Sequence, residues 1–224
     1  MATFDVVIPT SKNIEETHFS ICYTLRSILA QSIQPQNIYV VENVPNTGVK
    51  EHINRSFGNL VKVIDGLNKP INIAYARNLG AKMSQSDILV FMDDDVIIGR
   101  NDFCQKVIEI MKYNDFCCGA KRFWTTTEWH KYLSLSFQMN HNLQILKSKS
   151  FLPQSIERST GNKNCSEFTY IGNFGAIKKD VFNSLEGFDE NYEGWLYQDT
   201  DLIMRLCVNN YKYEICLLYT SDAA

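Results

Sequence analysis

No segment of this 224-residue chain comes near the roughly 18 consecutive apolar residues that a membrane-spanning helix needs. The opening Met-Ala-Thr-Phe-Asp-Val-Val-Ile also lacks the charged and long apolar regions of a secretory leader. The expected compartment is therefore the cytoplasm, including the inner face of its membrane through peripheral association. Polybasic runs are absent too. With 22 Lys and Arg against 25 Asp and Glu the formal charge is −3, so no nucleic-acid partner is expected. Seven cysteines, Cys22, Cys104, Cys117, Cys118, Cys165, Cys207 and Cys216, show no C-x-x-C pair. That excludes the usual zinc and redox spacings and points to buried thiols in a reducing compartment. Internal repeats and low-complexity tracts are also missing.

What remains is an ordinary globular composition, 45% hydrophobic and 21% charged, in a chain long enough for one medium α/β domain. Residues 216–224 read like a translated sequencing-library adapter. A single domain is accordingly expected over 1–215, truncated at its C-terminus, with 216–224 an artefact.

Phe4–Ile8 reads as a buried strand stopped by Pro9, and Glu15–Ser32 as a helix whose Ile21, Leu25, Ile28 and Leu29 recur at spacings of three and four. Further strands are expected at Ile38–Val41, Val61–Ile64 and Ile88–Phe91, with a helix at Asn72–Met83. A helix at Asn101–Tyr113 and a strand at Phe116–Lys121 follow. Alternating strands and helices imply a doubly wound, mostly parallel sheet with helices on both faces. In such sheets ligands bind beyond the carboxyl ends of the strands, where Thr10, Glu42, Asp65 and Asp93-Asp94-Asp95 all fall.

The alternation is lost over Phe123–Cys165, a segment with Trp124 and Trp129 that reads as an inserted flap. Pattern resumes with a strand at Phe168–Ile171 and a helix at Lys178–Ser184. The turn Gly187-Phe188-Asp189-Glu190 and a helix at Thr200–Asn210 complete it.

Three consecutive carboxylates at a strand mouth repel one another, and a divalent cation relieves that cost. Mg²⁺ or Mn²⁺ takes one or two carboxylates plus phosphate oxygens, so D-x-D after a buried strand suits a metal-diphosphate site. Arg77, on a helix of small residues, can fork to phosphate oxygens. Asp199 is expected at the N-cap of the last helix behind a loop with Gly194 and Trp195, and Asp201 with Arg205 as an i,i+4 ion pair.

In this order V-V-I-P-T (Val6–Thr10), V-V-E-N (Val40–Asn43), A-R-N-L-G (Ala76–Gly80), F-M-D-D-D-V (Phe91–Val96), Y-I-G-N-F-G-A-I (Tyr170–Ile177) and G-F-D-E…Q-D-T-D-L…R resemble the family 2 glycosyltransferases and their GT-A fold. The G-F-D-E-x-Y-x-G-W stretch is also similar to the β-1,4-galactosyltransferases. The resemblance implies inverting, metal-dependent transfer from a nucleoside diphosphate sugar, with a UDP-sugar favoured, to a glycan or lipid-linked acceptor in cell-surface polysaccharide synthesis.

Carried over, it puts Pro9, Thr10, Glu42, Arg77, Asp93 and Asp94 on the donor, Asp95 with Asp93 on Mn²⁺ or Mg²⁺, Asp199 as base, and Asn173, Gly194 and Trp195 on the acceptor. Glu42 stands where the family usually has Asp, and Gln198 where a Glu commonly precedes the base. A sugar nucleotidyltransferase would instead carry a glycine-rich loop after the first strand, and Pro9-Thr10-Ser11-Lys12-Asn13 has no glycine. An inactive nucleotide-sugar-binding module is the other alternative.

Overall fold

The computed structural model describes residues 2–11, 14–44, 46–66, 71–96, 98, 101–119, 174–192, 194 and 197–216. Its elements are β1 (Phe4–Thr10), α1 (Ile14–Leu29), β2 (Asn37–Glu42), α2 (Val49–Phe57), β3 (Lys62–Asp65), α3 (Ile73–Met83), β4 (Ile88–Met92), α4 (Phe103–Met111), β5 (Phe116–Gly119), β6 (Phe174–Lys178), α5 (Lys179–Ser184), α6 (Gln198–Val208) and β7 (Tyr213–Cys216). The strands form one seven-stranded sheet in the order β3-β2-β1-β4-β6-β5-β7. All pairings are parallel except those of β6, which runs antiparallel to β4 and to β5.

The period of two along each strand divides the core. Val6, Ile8, Val40, Val90 and Met92 face a layer built by α1, α2 and α4. Val7, Tyr39, Val41, Leu89 and Phe91 face the layer of α3, α5 and α6. The central strands β1, β2 and β4 are largely apolar on both faces because helices cover both, as the sequence implied. Helix α3 comes closest to the sheet. A β-carbon on Gly80 would lie 2.4 Å from Val7 Cγ1, so only glycine fits at that crossing.

Several expectations are corrected. Strand β1 runs through Pro9 to Thr10 instead of stopping at the proline. The Thr10 carbonyl points to β2, accepting from the Asn43 amide, so position 9 faces the β4 side. Pairing with β4 ends at Val7, and the missing amide proton of Pro9 therefore costs no ladder bond. Helix α2 was not expected. Its apolar Val49, Ile53 and Phe57 do recur every four residues, but six polar residues separate them. Strand β6 lies at Phe174–Lys178, after the expected 168–171, which falls outside the described residues together with the flap at 123–165 and Trp124, Trp129 and Cys165. Strand β7 closes the sheet where none was expected.

Cys22, Cys104, Cys117, Cys118 and Cys207 form no disulfide, and the first four are buried. Burial pushes Cys22 up to about 11 and Cys104 to about 12, which keeps both unreactive. No helix among the described residues is long and apolar enough to cross a membrane.

Candidate active site

Register places the polar strand ends in one row. Thr10 is level with Glu42, and Glu42 with Asp65, across β1, β2 and β3. Parity then decides which way each aspartate after β4 turns. Met92 faces the α1 layer and Phe91 the α3 layer, so Asp93 inherits the α3 side and Asp94 the α1 side. The contacts follow this alternation. Arg77 of α3 meets Asp93, with Nη2 3.1 Å from Oδ1. On the other face the Thr10 hydroxyl donates to Asp94 Oδ2 at 2.7 Å, and the Thr24 hydroxyl of α1 donates to the Asp94 carbonyl at 3.1 Å. Asp94 is buried, Asp93 half-buried and Asp95 exposed.

Arg77 is 3% exposed, yet its Nε and Nη1 have no hydrogen-bond partner among the described residues. The guanidinium also lies over the Phe188 ring, 5.3 Å from the centroid. A buried cation with two idle donors is expensive, and an anion at the mouth of β4 would satisfy them.

Glu42 is buried and accepts from the Thr47 hydroxyl. Burial raises its pKa, with Asp65 and Glu51 adding to the effect and the Thr47 bond opposing it. Asn43, next along the chain, was quoted within a motif but not picked as a site residue. It is 2% exposed, and neither amide atom has a partner among the described residues. The sequence offered no signal beyond its place after the strand.

The opposite wall is tied to α3. Asn78 donates to the Phe188 carbonyl and accepts from the Phe188 amide, at 2.8 and 2.9 Å. Asn72 caps α3 through the Tyr75 amide and donates to the Glu190 carbonyl, while Gly194 bridges Asn72. Gly187 sits at φ 75°, where a β-carbon would approach Asn78 Oδ1 to 2.6 Å. The two asparagines flanking Arg77 thus dock the segment leading to α6, a function the spacing N-x₅-N on one helix concealed.

Helix α6 begins at Gln198, earlier than expected, with Tyr197 as N-cap at φ 70°. Asp199 is therefore not the cap. It lies in the first turn with Asp201, where both carboxylates favour the positive end of the helix dipole. The Asp201–Arg205 ion pair forms at 2.6 Å, and Arg205 also donates to the carbonyls of Leu185 and Gly187, binding α6 to that turn. Gln198 is 2% exposed, with Oε1 unpartnered among the described residues. Gly194 is described, at φ 76°. Asn173 and Trp195 lie outside the described residues.

Among the described residues no three His, Cys, Asp or Glu side chains converge on a ready-made metal site. The consecutive aspartates diverge, with Asp94 turned into the protein. The donor set still fits Mg²⁺ or Mn²⁺ in their usual mode, one or two carboxylates completed by phosphate oxygens and water. Asp93 and Asp95, unlike Asp94, are not buried.

Sheet order and two-sided helical cover define a GT-A glycosyltransferase fold, and comparison with known proteins agrees. The model described as glycosyl transferase family 2 matches residues 5–185, and the chain belongs to that family. A second, described as the N-terminal domain of galactosyltransferase, matches residues 156–221. No curated protein matches the chain. Among solved structures, the mannosyltransferase PcManGT from Pyrobaculum calidifontis in complex with GDP-Man and Mn2+ is similar at TM-score 0.65 and 14% identity, covering 96% of this chain and 55% of its own. S. aureus TarS 1-349 in complex with UDP-GlcNAc gives 0.63 and 14%, covering 96% and 58%. GalNAc-T7 with UDP, GalNAc and Mn2+ gives 0.64 and 15%, covering 97% and 43%. The chain thus spans about half the length of these proteins.

Proposed function

We propose that this chain is the catalytic domain of an inverting transferase that moves a sugar from a nucleoside diphosphate donor, a UDP-sugar by preference, to a hydroxyl of a glycan or lipid-linked acceptor. The observation that carries the reading is Arg77, buried at the sheet's carboxyl edge beside Asp93 with two unsatisfied nitrogens, Nε and Nη1. Family membership and the nucleotide complexes of similar structures support the same ligand class.

In this reading Glu42 and Asn43 face the nucleoside and Arg77 forks onto the diphosphate, with Thr10 and Asp94 bracing the strand ends from within. Bound by Asp95 and Asp93, Mn²⁺ or Mg²⁺ would supply Lewis-acid stabilisation of the phosphate charge. Asp199 takes the proton of the acceptor hydroxyl as its oxygen bonds to the anomeric carbon. The bond from that carbon to the phosphate oxygen breaks, the nucleoside diphosphate leaves, and configuration inverts. Base assistance of this kind is worth about 10²–10⁴-fold, and fixed cations on the leaving group are worth at least as much.

The test is a panel of nucleotide sugars incubated with Mn²⁺, read by product. Release of a nucleoside diphosphate from one of them supports the transferase. Pyrophosphate release would mark a nucleotidyltransferase, and binding without turnover would mark an inactive module.

A further inference from the structure

Helix α1 carries a polar stripe where a core helix should be apolar. Thr24 and Ser27 in α1, and Gln31 two residues past its end, are all buried, at an i, i+3, i+7 spacing that prolongs one face of the helix. Ser and Thr hydroxyls inside a helix normally fold back on its own carbonyls. Here the side chains reach outward, and each outward bond ends on the backbone of Asp94, Ile98 or Cys104, between the end of β4 and the first turn of α4. Thr24 Oγ1 donates to the Asp94 carbonyl at 3.1 Å. Ser27 Oγ donates to the Thr24 carbonyl at 2.7 Å and accepts from the Ile98 amide at 3.1 Å. Gln31 Oε1 accepts from the Cys104 amide at 3.2 Å, while its Nε2 donates to the Ser27 carbonyl at 2.9 Å. The Ser32 amide adds a bond to the Asn101 carbonyl at 2.7 Å.

Position in the chain gives this stripe its meaning. The splinted stretch begins inside the aspartate triplet and ends in the first turn of α4. That helix takes no side-chain capping bond from its own N-cap residue, Asp102, and Gln31, just past the end of α1, supplies an acceptor instead. At the other end Asp94 is fixed twice, through its carboxylate by Thr10 and through its carbonyl by Thr24. The residues on either side of so firmly held a pivot have their directions set by it. A stretch needed only to cross from β4 to α4 would be packed more cheaply by apolar side chains, because every buried hydroxyl must be paired.

We propose that Thr24, Ser27 and Gln31 are positioning residues. They hold the backbone after β4 so that Asp93 and Asp95 meet the donor's diphosphate and its cation in fixed directions, with Asp94 as the pivot and not a ligand. The inference rests on the donor reading above. Outer residues that orient metal-binding carboxylates typically alter affinity by about 10–100-fold when removed.

The experiment uses the full chain and its Thr24→Val, Ser27→Ala and Thr24→Ser variants, each confirmed folded by circular dichroism. Mn²⁺ binding in the presence of UDP, and separately of GDP, is followed by electron paramagnetic resonance well below the melting temperature. Hydrogen exchange across 94–104 is measured without metal or nucleotide.

Thr24→Val and Ser27→Ala should weaken nucleotide-dependent Mn²⁺ binding about tenfold or more and speed exchange at Ile98. Thr24→Ser, which keeps the hydroxyl, should restore binding to within about twofold, as the outer-residue account requires. Folded Thr24→Val that binds Mn²⁺ like the unaltered chain overturns the inference and leaves the donor reading intact. If the unaltered chain binds Mn²⁺ with neither nucleotide, both fall together.

Discussion

At the amino ends of the central strands, Asp5 is fully buried and completely served. It accepts from the Asn37 amide and side chain at 2.7 and 3.0 Å and from the Ser84 hydroxyl at 2.7 Å. Nearby, Asp87 accepts from the Thr3 amide and hydroxyl, which hold its carboxyl below the usual range. At the carboxyl ends polar groups are buried just as deeply, but Arg77, Asn43 and Gln198 keep atoms with no partner among the described residues. Buried polar groups that are paired specify a fold, whereas those left unpaired at the carboxyl ends lie where such sheets take ligands. The two ends therefore differ in satisfaction and not in polarity.

The sharpest way to break this comparison is to exchange the consequences of mutation at the two ends. Asp199→Asn should lower transfer by about 10²–10⁴-fold while leaving donor affinity and melting temperature nearly unchanged. Initial rates and donor titration check it, and full turnover would remove Asp199 from the mechanism. Asp5→Ala should do the converse. It strands the Asn37 amide and the Ser84 hydroxyl and should cost about 3 kcal/mol in denaturant melts, with kinetic constants of the folded fraction unchanged.

Gly80→Ala probes the crossing between the ends. A methyl pressed against Val7 should cost about 1–3 kcal/mol as α3 shifts, moving Arg77 with it and raising the donor KM. Smallest is the pH effect of Glu42, whose pKa burial raises. A group raised in the folded state contributes stability that is complete below its ordinary value and lost as pH rises through the raised one. The unaltered chain should therefore lose stability across that window, and Glu42→Gln should flatten the curve.

Much of this was legible in the sequence because buried parallel strands are short, apolar and abruptly ended. Phe4–Ile8, Ile38–Val41, Val61–Ile64 and Ile88–Phe91 announced the sheet, and the polar residues following the first three announced the row Thr10, Glu42, Asp65. What escaped notice depended on pairing partners. Pro9 looked like a terminus because its freedom from a ladder bond is decided by where β4 stops. Helix α2 was hidden by its polarity, and β6 by lying next to residues of similar composition. Asp93 and Asp94 were both expected on the donor; only the alternation of the strand, with Arg77 on one face and Thr10 on the other, tells Asp94 from Asp93. Which polar atoms lack partners has no trace in sequence at all.

The most direct measurement is calorimetric titration of UDP and GDP, each with Mn²⁺, into the unaltered chain and into Arg77→Met. Methionine fills the arginine's volume without the idle donors, so the variant should fold with equal or greater stability. The account predicts that one nucleotide binds the unaltered chain and that Arg77→Met weakens it by about 10²–10³-fold, as loss of a preorganised phosphate donor implies. Equal binding to both proteins would contradict it.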